Sequence, residues 1–176
     1  LVIRGKSGVG KSTLIMGLLG QLPYTGWIQV NGKNLSEFTD VKQRIVGTVQ
    51  RSHIFNTSVR ENLKVGNPTA TDEEIFQILR LLELEALVNE MSSGLDTIIG
   101  EFGRAVSGGE AKRLAIARVL LSQSDVYILD EPTEHLDQEL ALRIESRVTE
   151  FLKEKILIVV THSGWDHADK TLNLLR

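Results

Sequence analysis

The chain contains no cysteine, which excludes disulfides and thiolate metal sites and fits a reducing compartment. No apolar run approaches the roughly 20 residues that a membrane helix needs. Any membrane role must therefore come through another segment or a partner. No lysine or arginine run stands out, and the formal net charge is −3, so a nucleic-acid surface is not suggested. Repeats, low-complexity tracts and long linkers are also missing. The 176 residues thus read as one domain with a core of its own. Apolar residues make up 41% and charged residues 24%, the balance of a globular chain rather than a disordered one. The first residue is Leu1 and the opening LVIR reads as the end of a buried strand, while TLNLLR closes in another. Both ends are expected to be flanked by more protein.

Periodicity gives the layout. Residues 11–22 carry helix formers with an apolar stripe at Leu14, Ile15, Leu18 and Leu19. Asn31-Gly32 is a tight-turn signal that predicts a hairpin over 27–35. IVGTV at 45–49 predicts a short strand that delivers Gln50 at its end. Residues 71–91 predict a helical region, with a capping box at Thr71 and Glu74 and an apolar face at Ile75, Ile78, Leu79 and Leu82. Residues 94–103 read as loop and 111–122 as helix. VYIL at 126–129 and ILIVV at 156–160 are nearly unbroken β-rich runs, as suits central parallel strands. Between them a helix over 138–153 is expected to turn Ile144, Val148 and Phe151 inward. The expected fold is α/β, with a parallel-sheet core over about 1–57 and 123–176, an antiparallel hairpin portion, and an inserted α-helical subdomain over about 58–122.

GKSGVGKS, starting at Gly5, fits G-x-x-x-x-G-K-[ST] between a strand and a helix. Glycines let the backbone curl so that successive N–H groups form a nest for phosphate oxygens, and the helix start behind adds positive potential. Gly5, Ser7, Gly8, Val9 and Gly10 would form the cradle. Lys11 can reach the β- and γ-phosphates, Ser12 can ligate Mg²⁺, and Thr13 can add a hydroxyl to the α-phosphate. The reading as a phosphate loop is taken over that of a plain glycine-rich turn.

VYILDE places Asp130 and Glu131 at the carboxyl end of a buried strand, the end that faces the ligand crevice in open α/β sheets. Asp130 can hold Mg²⁺ through water, and Glu131 can accept a proton from, or orient, the attacking water. His162 ends the next apolar strand and is expected at the same sheet edge, within reach of a γ-phosphate. His53, His135 and His167 lack such placement and read as surface or loop residues. VSGGE at 106–110 opens a second helix; by itself it is equally an ordinary helix-capping turn.

Taken jointly, these motifs resemble the nucleotide-binding domains of ATP-binding cassette (ABC) transporters, P-loop NTPases with a RecA-like core. VSGGE with RLAIARVLL resembles the family's LSGGQ signature and its helix. Gln50 stands at the Q-loop, Asp130 and Glu131 at the Walker B pair, residues 134–137 at the D-loop, and His162 at the switch histidine. The resemblance implies ATP hydrolysis with Mg²⁺, Gln50 and Ser12 on the metal beside the water-linked Asp130, and catalytic roles for Glu131, His162, Lys11 and Gln50. It also implies a head-to-tail dimer in which Ser107, Gly108, Gly109 and Glu110 cap the nucleotide of a second ABC domain. SVRENLKVGNP from Ser58 and DTIIGEFG ahead of the signature are exporter-like. Glu101 fits that pattern, while Ile98 takes the place of a frequent glutamate. SGGE with EPTEHLD is most similar to one component of the heterodimeric bacterial exporters of cysteine and glutathione required for cytochrome bd assembly. That implies a heterodimeric partner, attached transmembrane domains, and a place on the cytoplasmic face of the bacterial inner membrane.

The departures are Glu134 and His135 for small D-loop residues, expected to alter communication between two ATP sites, and Glu110, whose charge is expected to tune affinity for the partner's nucleotide. The aromatic that stacks on adenine in that family precedes the P-loop strand and is absent from this sequence, which implies a weaker hold on adenine. Two other readings stand beside the exporter engine: a soluble ABC ATPase acting on DNA or ribosomes, and a nucleotide-sensing subunit with little turnover of its own.

Overall fold

The chain opens on a buried strand, Val2–Arg4 (β1), that passes through residues 5–10 into helix Lys11–Leu18 (α1). The computed structural model describes residues 1–30, 32–37, 44–48, 53–166 and 168–175. Gln29–Val30 (β2) and Lys33–Asn34 (β3) pair antiparallel, with Val30 opposite Lys33. Ile45–Gly47 (β4) is followed by Thr57–Ser58 (β5), Val59–Lys64 (α2), Asp72–Leu81 (α3), Glu85–Asn89 (α4), Ile98–Ile99 (β6) and Gly108–Leu121 (α5). The chain then alternates through Val126–Asp130 (β7), Gln138–Phe151 (α6), Ile156–Val160 (β8) and Thr171–Asn173 (β9).

The main sheet runs β4-β7-β8-β1-β9, with every pairing parallel. All five residues of β7 are buried, and the reason is visible in the layers. Tyr127 and Leu129 pack into one apolar cluster with residues of α2, α3, α5 and α6, while Val126 and Ile128 pack into another with Ile15 of α1. A strand covered on both faces has no solvent side on which to alternate, so its sequence is apolar throughout. The registers place Asp130 and Ile3 on either side of Val160. The carboxyl ends of β7, β8 and β1 therefore open onto one edge of the sheet.

Several expectations change in detail. The helical region over 71–91 keeps its Thr71–Glu74 capping box but breaks at Glu83, whose φ is 53°. There Leu84 N–H donates to Leu79 O at 2.8 Å and a second short helix, α4, starts. Residues 94–103 are not all loop: Ile98 and Ile99 pair antiparallel with Ser58 and Thr57. Helix α1 stops at Leu18, four residues before the expected end. Phe151 does not point inward; it is 39% exposed, and Leu152 is buried beside Ile144 and Val148. The strand expected over 45–49 ends at Gly47, although Thr48 N–H still donates to Ile128 O. Gln50, Asn31 and His167 lie outside the described residues.

Helices α2 and α5 are locked by a half-buried arginine. Arg118 Nε donates to Asn62 O at 2.7 Å, its Nη groups reach His53 O and Asn62 Oδ1, and its guanidinium lies 4.8 Å from the Phe55 ring centre. Gly66 allows this approach, because a Cβ there would sit 1.9 Å from Arg118 O. Gly66→Ala is therefore expected to lower stability by about 1–3 kcal/mol, the usual penalty for forcing backbone apart in a packed interior. The urea unfolding midpoint would register it, and an unchanged midpoint would refute the close packing.

Candidate nucleotide site

Loop 5–10 delivers a helix start with nothing on it. The N-cap of α1 is Gly10, at φ 104°, with no side-chain cap and no acidic residue in the first turn. By contrast, Thr71, Ser107 and Asp137 cap α3, α5 and α6 with their own oxygens. The first N–H groups of a helix have no intrahelical acceptor. At α1 no side chain of its N-cap takes them, and a helix start of this kind can receive an anion in the field of the helix dipole. A Cβ at Gly8 or Gly10 would meet open space; what requires glycine there is positive φ, 78° and 104°. Lys11 Nζ bends back over the loop and donates to Gly5 O at 2.7 Å and Lys6 O at 3.3 Å. The ammonium thus sits across the cradle, with Ser12 and Thr13 beside it on the first turn.

The strand ends supply the acids. Asp130 is 4% exposed, and its N–H donates to Thr48 Oγ1 at 2.9 Å. Burial raises the Asp130 carboxyl pKa; the neighbouring Glu131 charge adds to this, while Lys112 and Lys11 oppose it. A divalent cation next to the carboxyl would favour its charged form, and the Ser12 hydroxyl is of the hard oxygen type that Mg²⁺ takes. Glu131 N–H donates to Val160 O at 2.8 Å, fastening the turn to the next strand. Glu131 itself has φ 46°, an uncommon conformation for a side-chain-bearing residue. Its Oε2 lies 3.0 Å from His162 Nδ1. A carboxylate oxygen accepts only, so Nδ1 carries the hydrogen and Nε2 is left for another partner. The Glu131 side chain is 12% exposed and that of His162 63%. The carboxylate is held in a fixed place while the imidazole opens to solvent.

The second loop is built differently. Ser107 is the N-cap of α5: its Oγ accepts from Glu110 N–H at 3.2 Å, and Glu110 Oε2 accepts from Ser107 N–H at 2.8 Å. The helix begins at Gly108 rather than Ala111 because this capping box forms. Glu110 is turned onto its own chain, and the Ser107 hydroxyl hydrogen remains to donate outward. Ser107, Gly108 and Gly109 line a cleft of about 520 Å³ with Arg113, His135, Leu136, Asp137 and Leu140. No residue of loop 5–13 lines it. The two phosphate-type loops therefore do not share one pocket.

Sequence reasoning missed three cations on α5 and α6, of which Arg113 lines this cleft. Arg113 donates to Leu82 O, Glu83 O and Gly109 O. Arg143 holds Glu83 at 2.7 Å, and this hydrogen bond is the main reason the Glu83 carboxyl pKa is lowered. Lys112 is 4% exposed, on the buried face of α5 that it shares with Ile116, Val119 and Leu120. A lysine at helical spacing on an otherwise apolar face was the signal available for it.

A family model described as ABC transporter matches residues 1–134. The glutathione/L-cysteine transport system ATP-binding/permease protein CydC of Escherichia coli (strain K12) is 39% identical over 165 residues, covering 92% of this chain and 28% of that protein. CydC of Bacillus subtilis (strain 168) is 38% identical over 163 residues, covering 91% and 29%. A multidrug export ATP-binding/permease protein of Staphylococcus aureus (strain bovine RF122 / ET3-1) is 37% identical over 171 residues, covering 94% and 30%. The solved structure of a bacterial Atm1-family ABC exporter with ATP bound superposes with a TM-score of 0.88 at 29% identity, covering 98% of this chain and 31% of that one. The chain thus spans under a third of the length of these relatives.

Proposed function

Because the chain belongs to the ABC transporter family, in its ATP-binding part, we propose that it is the MgATP-hydrolysing engine of a membrane exporter. The observation that carries this reading is the convergence of Lys11, Asp130, Glu131 and His162 at one sheet edge, with the Glu131 carboxylate braced by His162 at 3.0 Å. Loop 5–13 holds the triphosphate, its helix start and Lys11 facing the phosphate charge. Glu131 takes a proton from the water that attacks the γ-phosphorus in line. The bond to the β–γ bridging oxygen breaks, giving ADP and phosphate. His162, oriented through Nδ1, offers Nε2 to the γ-phosphate or the water. Mg²⁺, held by Ser12 and through water by Asp130, would neutralise phosphate charge; Gln50 belongs with this set on the family resemblance.

Ser107, Gly108 and Gly109 serve the nucleotide of a second ABC domain. One triphosphate cannot fill two separate loops on a single chain, whereas two head-to-tail copies bring each loop against the other's ATP. ATP then joins the two domains and hydrolysis releases them. Residues 58–122, as a helical subdomain, present the joint to the membrane part. Phe55, Ile98 and Phe102 are 42%, 49% and 83% exposed around the β5–β6 ladder, where Phe102 N–H is held by Asn56 Oδ1. Such an exposed apolar corner suits a docking membrane domain. Cysteine or glutathione as cargo follows the names of the relatives called CydC; a heterodimeric partner and a site on the cytoplasmic face of the inner membrane rest on the family resemblance.

The test is transport by the full-length protein with its partner in inside-out vesicles. ATP-dependent accumulation of labelled glutathione or cysteine is expected. Hydrolysis without accumulation of either would overturn the thiol reading, and absence of hydrolysis would overturn the engine. Phe102→Asp is expected to cut transport about tenfold or more, as loss of an apolar interface anchor does, with ATP binding unchanged. Full transport by that variant would remove the corner from the coupling path.

A further inference from the structure

We propose that Lys112 is a positioning residue that, through Glu134, sets the spacing between the Ser107–Gly108–Gly109 turn and the acidic strand end at Asp130 and Glu131. The inference rests on the reading of both loops as phosphate sites and deepens it.

Lys112 lies one helical turn beyond Gly108 on α5 and is buried. An ammonium removed from water is costly unless acceptors surround it. One acceptor and one opposite charge are supplied, from a single stretch of chain: Lys112 Nζ donates to Asp130 O at 3.3 Å and lies 4.0 Å from Glu134 Oε2 as an ion pair. Both belong to the segment that leaves β7. At its start that segment is fastened by Glu131 N–H to Val160 O at 2.8 Å and by the Glu131–His162 pair; beyond Glu131 it is held by turn bonds, Glu134 N–H to Glu131 O and Leu136 N–H to Thr133 O, both at 3.2 Å. It contains two side-chain-bearing residues at positive φ, Glu131 and His135. Such conformations persist only where surrounding contacts over-determine them.

The same segment touches the start of α5 at a second point. A Cβ on Gly109 would lie 3.0 Å from Leu136 Cδ2 and 3.6 Å from His135 O. Helix α5 therefore grips the segment near both ends, through Lys112 close to the catalytic carboxylate and through Gly109 close to the cleft. Residues 130–137 form a short strut between this chain's own ATP site and the face it offers to a second copy. In a head-to-tail pair, both sites close together only if the strut has the right length. Glu134 is the adjustable member, because its side chain is 33% exposed whereas that of Lys112 is 5%. Without the ammonium it is free to swing into solvent, and the positive-φ turn loses a constraint.

The test uses the full-length protein with Glu134→Ala, Glu134→Gln, Lys112→Met, Lys112→Arg and the double variant Lys112→Met/Glu134→Gln. Glu134→Ala and Lys112→Met are each expected to lower kcat about tenfold with KM for ATP within about twofold, the split that marks loss of transition-state positioning rather than binding. The double variant is expected to be no worse than the poorer single one, because both remove the same link. Lys112→Arg is expected to recover most of the rate. Amide hydrogen exchange over 133–137 is expected to speed up in Glu134→Ala and Lys112→Met alike. This readout stands even if the parent protein hydrolyses no ATP, in which case the function fails and the strut is still judged. Effects that add in the double variant, or unchanged exchange over 133–137, overturn the proposal. A lowered melting temperature with wild-type kcat also overturns it, by reducing the pair to a structural contact. Should Lys112→Met not fold, the more exposed Glu134 variants decide the matter alone.

Discussion

Glu131→Gln is expected to abolish turnover while leaving ATP bound. The substitution keeps size and shape, so the turn fastened by Glu131 N–H to Val160 O at 2.8 Å is retained. An amide can still pair with His162 Nδ1, now 3.0 Å from Oε2, but it cannot take a proton from water. Removing a positioned general base typically costs a factor of about 10²–10⁴ in rate. In the proposed function the nucleotide is gripped elsewhere, by the uncapped start of α1 and by Lys11, so affinity is expected to stay within about threefold, under 1 kcal/mol. In the proposed head-to-tail pair, where hydrolysis separates the two domains, the variant is also expected to accumulate as an ATP-bound pair. Steady-state phosphate release beside equilibrium ATP binding checks both halves. A variant that hydrolyses ATP at the parental rate would remove Glu131 from the role of base.

Lys11→Ala is expected to fail one step earlier, at binding. Lys11 Nζ holds Gly5 O and Lys6 O across the loop, so the variant loses both the charge that meets the phosphates and the tie that shapes the cradle. Charge-assisted hydrogen bonds are worth about 1.5–3 kcal/mol each. With two or more lost to the phosphates, Kd for MgATP is expected to rise at least about a hundredfold, or 2.7 kcal/mol. Lys11→Arg is not a rescue, because a planar fork does not replace a compact ammonium inside a tight loop. Titration calorimetry separates the outcomes. A Kd unchanged in Lys11→Ala would contradict the assignment of loop 5–13 to phosphate.

The two substitutions probe parts of the site that differ in how openly the chain displays them. The 5–13 loop is contiguous, and its glycine spacing reports backbone geometry directly: Gly8 and Gly10 do adopt positive φ, and α1 does begin at Lys11. Asp130 and Glu131 were equally visible, since the apolar run VYIL suits a strand covered on both faces, as β7 is, and the carboxyl end of such a strand faces the crevice in open α/β sheets. The Thr71–Glu74 capping box formed as its spacing requires. Less was visible where the deciding contact came from far along the chain. The break at Glu83 is held by Arg143, 60 residues away, and propensity within 71–91 carries no trace of it. The inward face of α6 was misplaced at Phe151: positions 151 and 152 both follow Ile144 and Val148 at helical spacing, and Leu152 is the one that is buried. The strand Ile98–Ile99 is two residues long and exists only through Ser58 and Thr57.

Composition and order of motifs by themselves determined an α/β phosphate-binding domain with its acids at a strand end, because glycine turns, capping residues and apolar periods act over a few bonds. Only the tertiary structure decided that the Glu131 carboxylate meets His162, that Glu110 turns back on Ser107, and that a buried Lys112 reaches Asp130 O and Glu134. The physical reason is range. A side chain's charge and hydrogen-bonding partners depend on what folding brings within about 4 Å, and for Lys112 those partners lie on another element, past the end of its own helix.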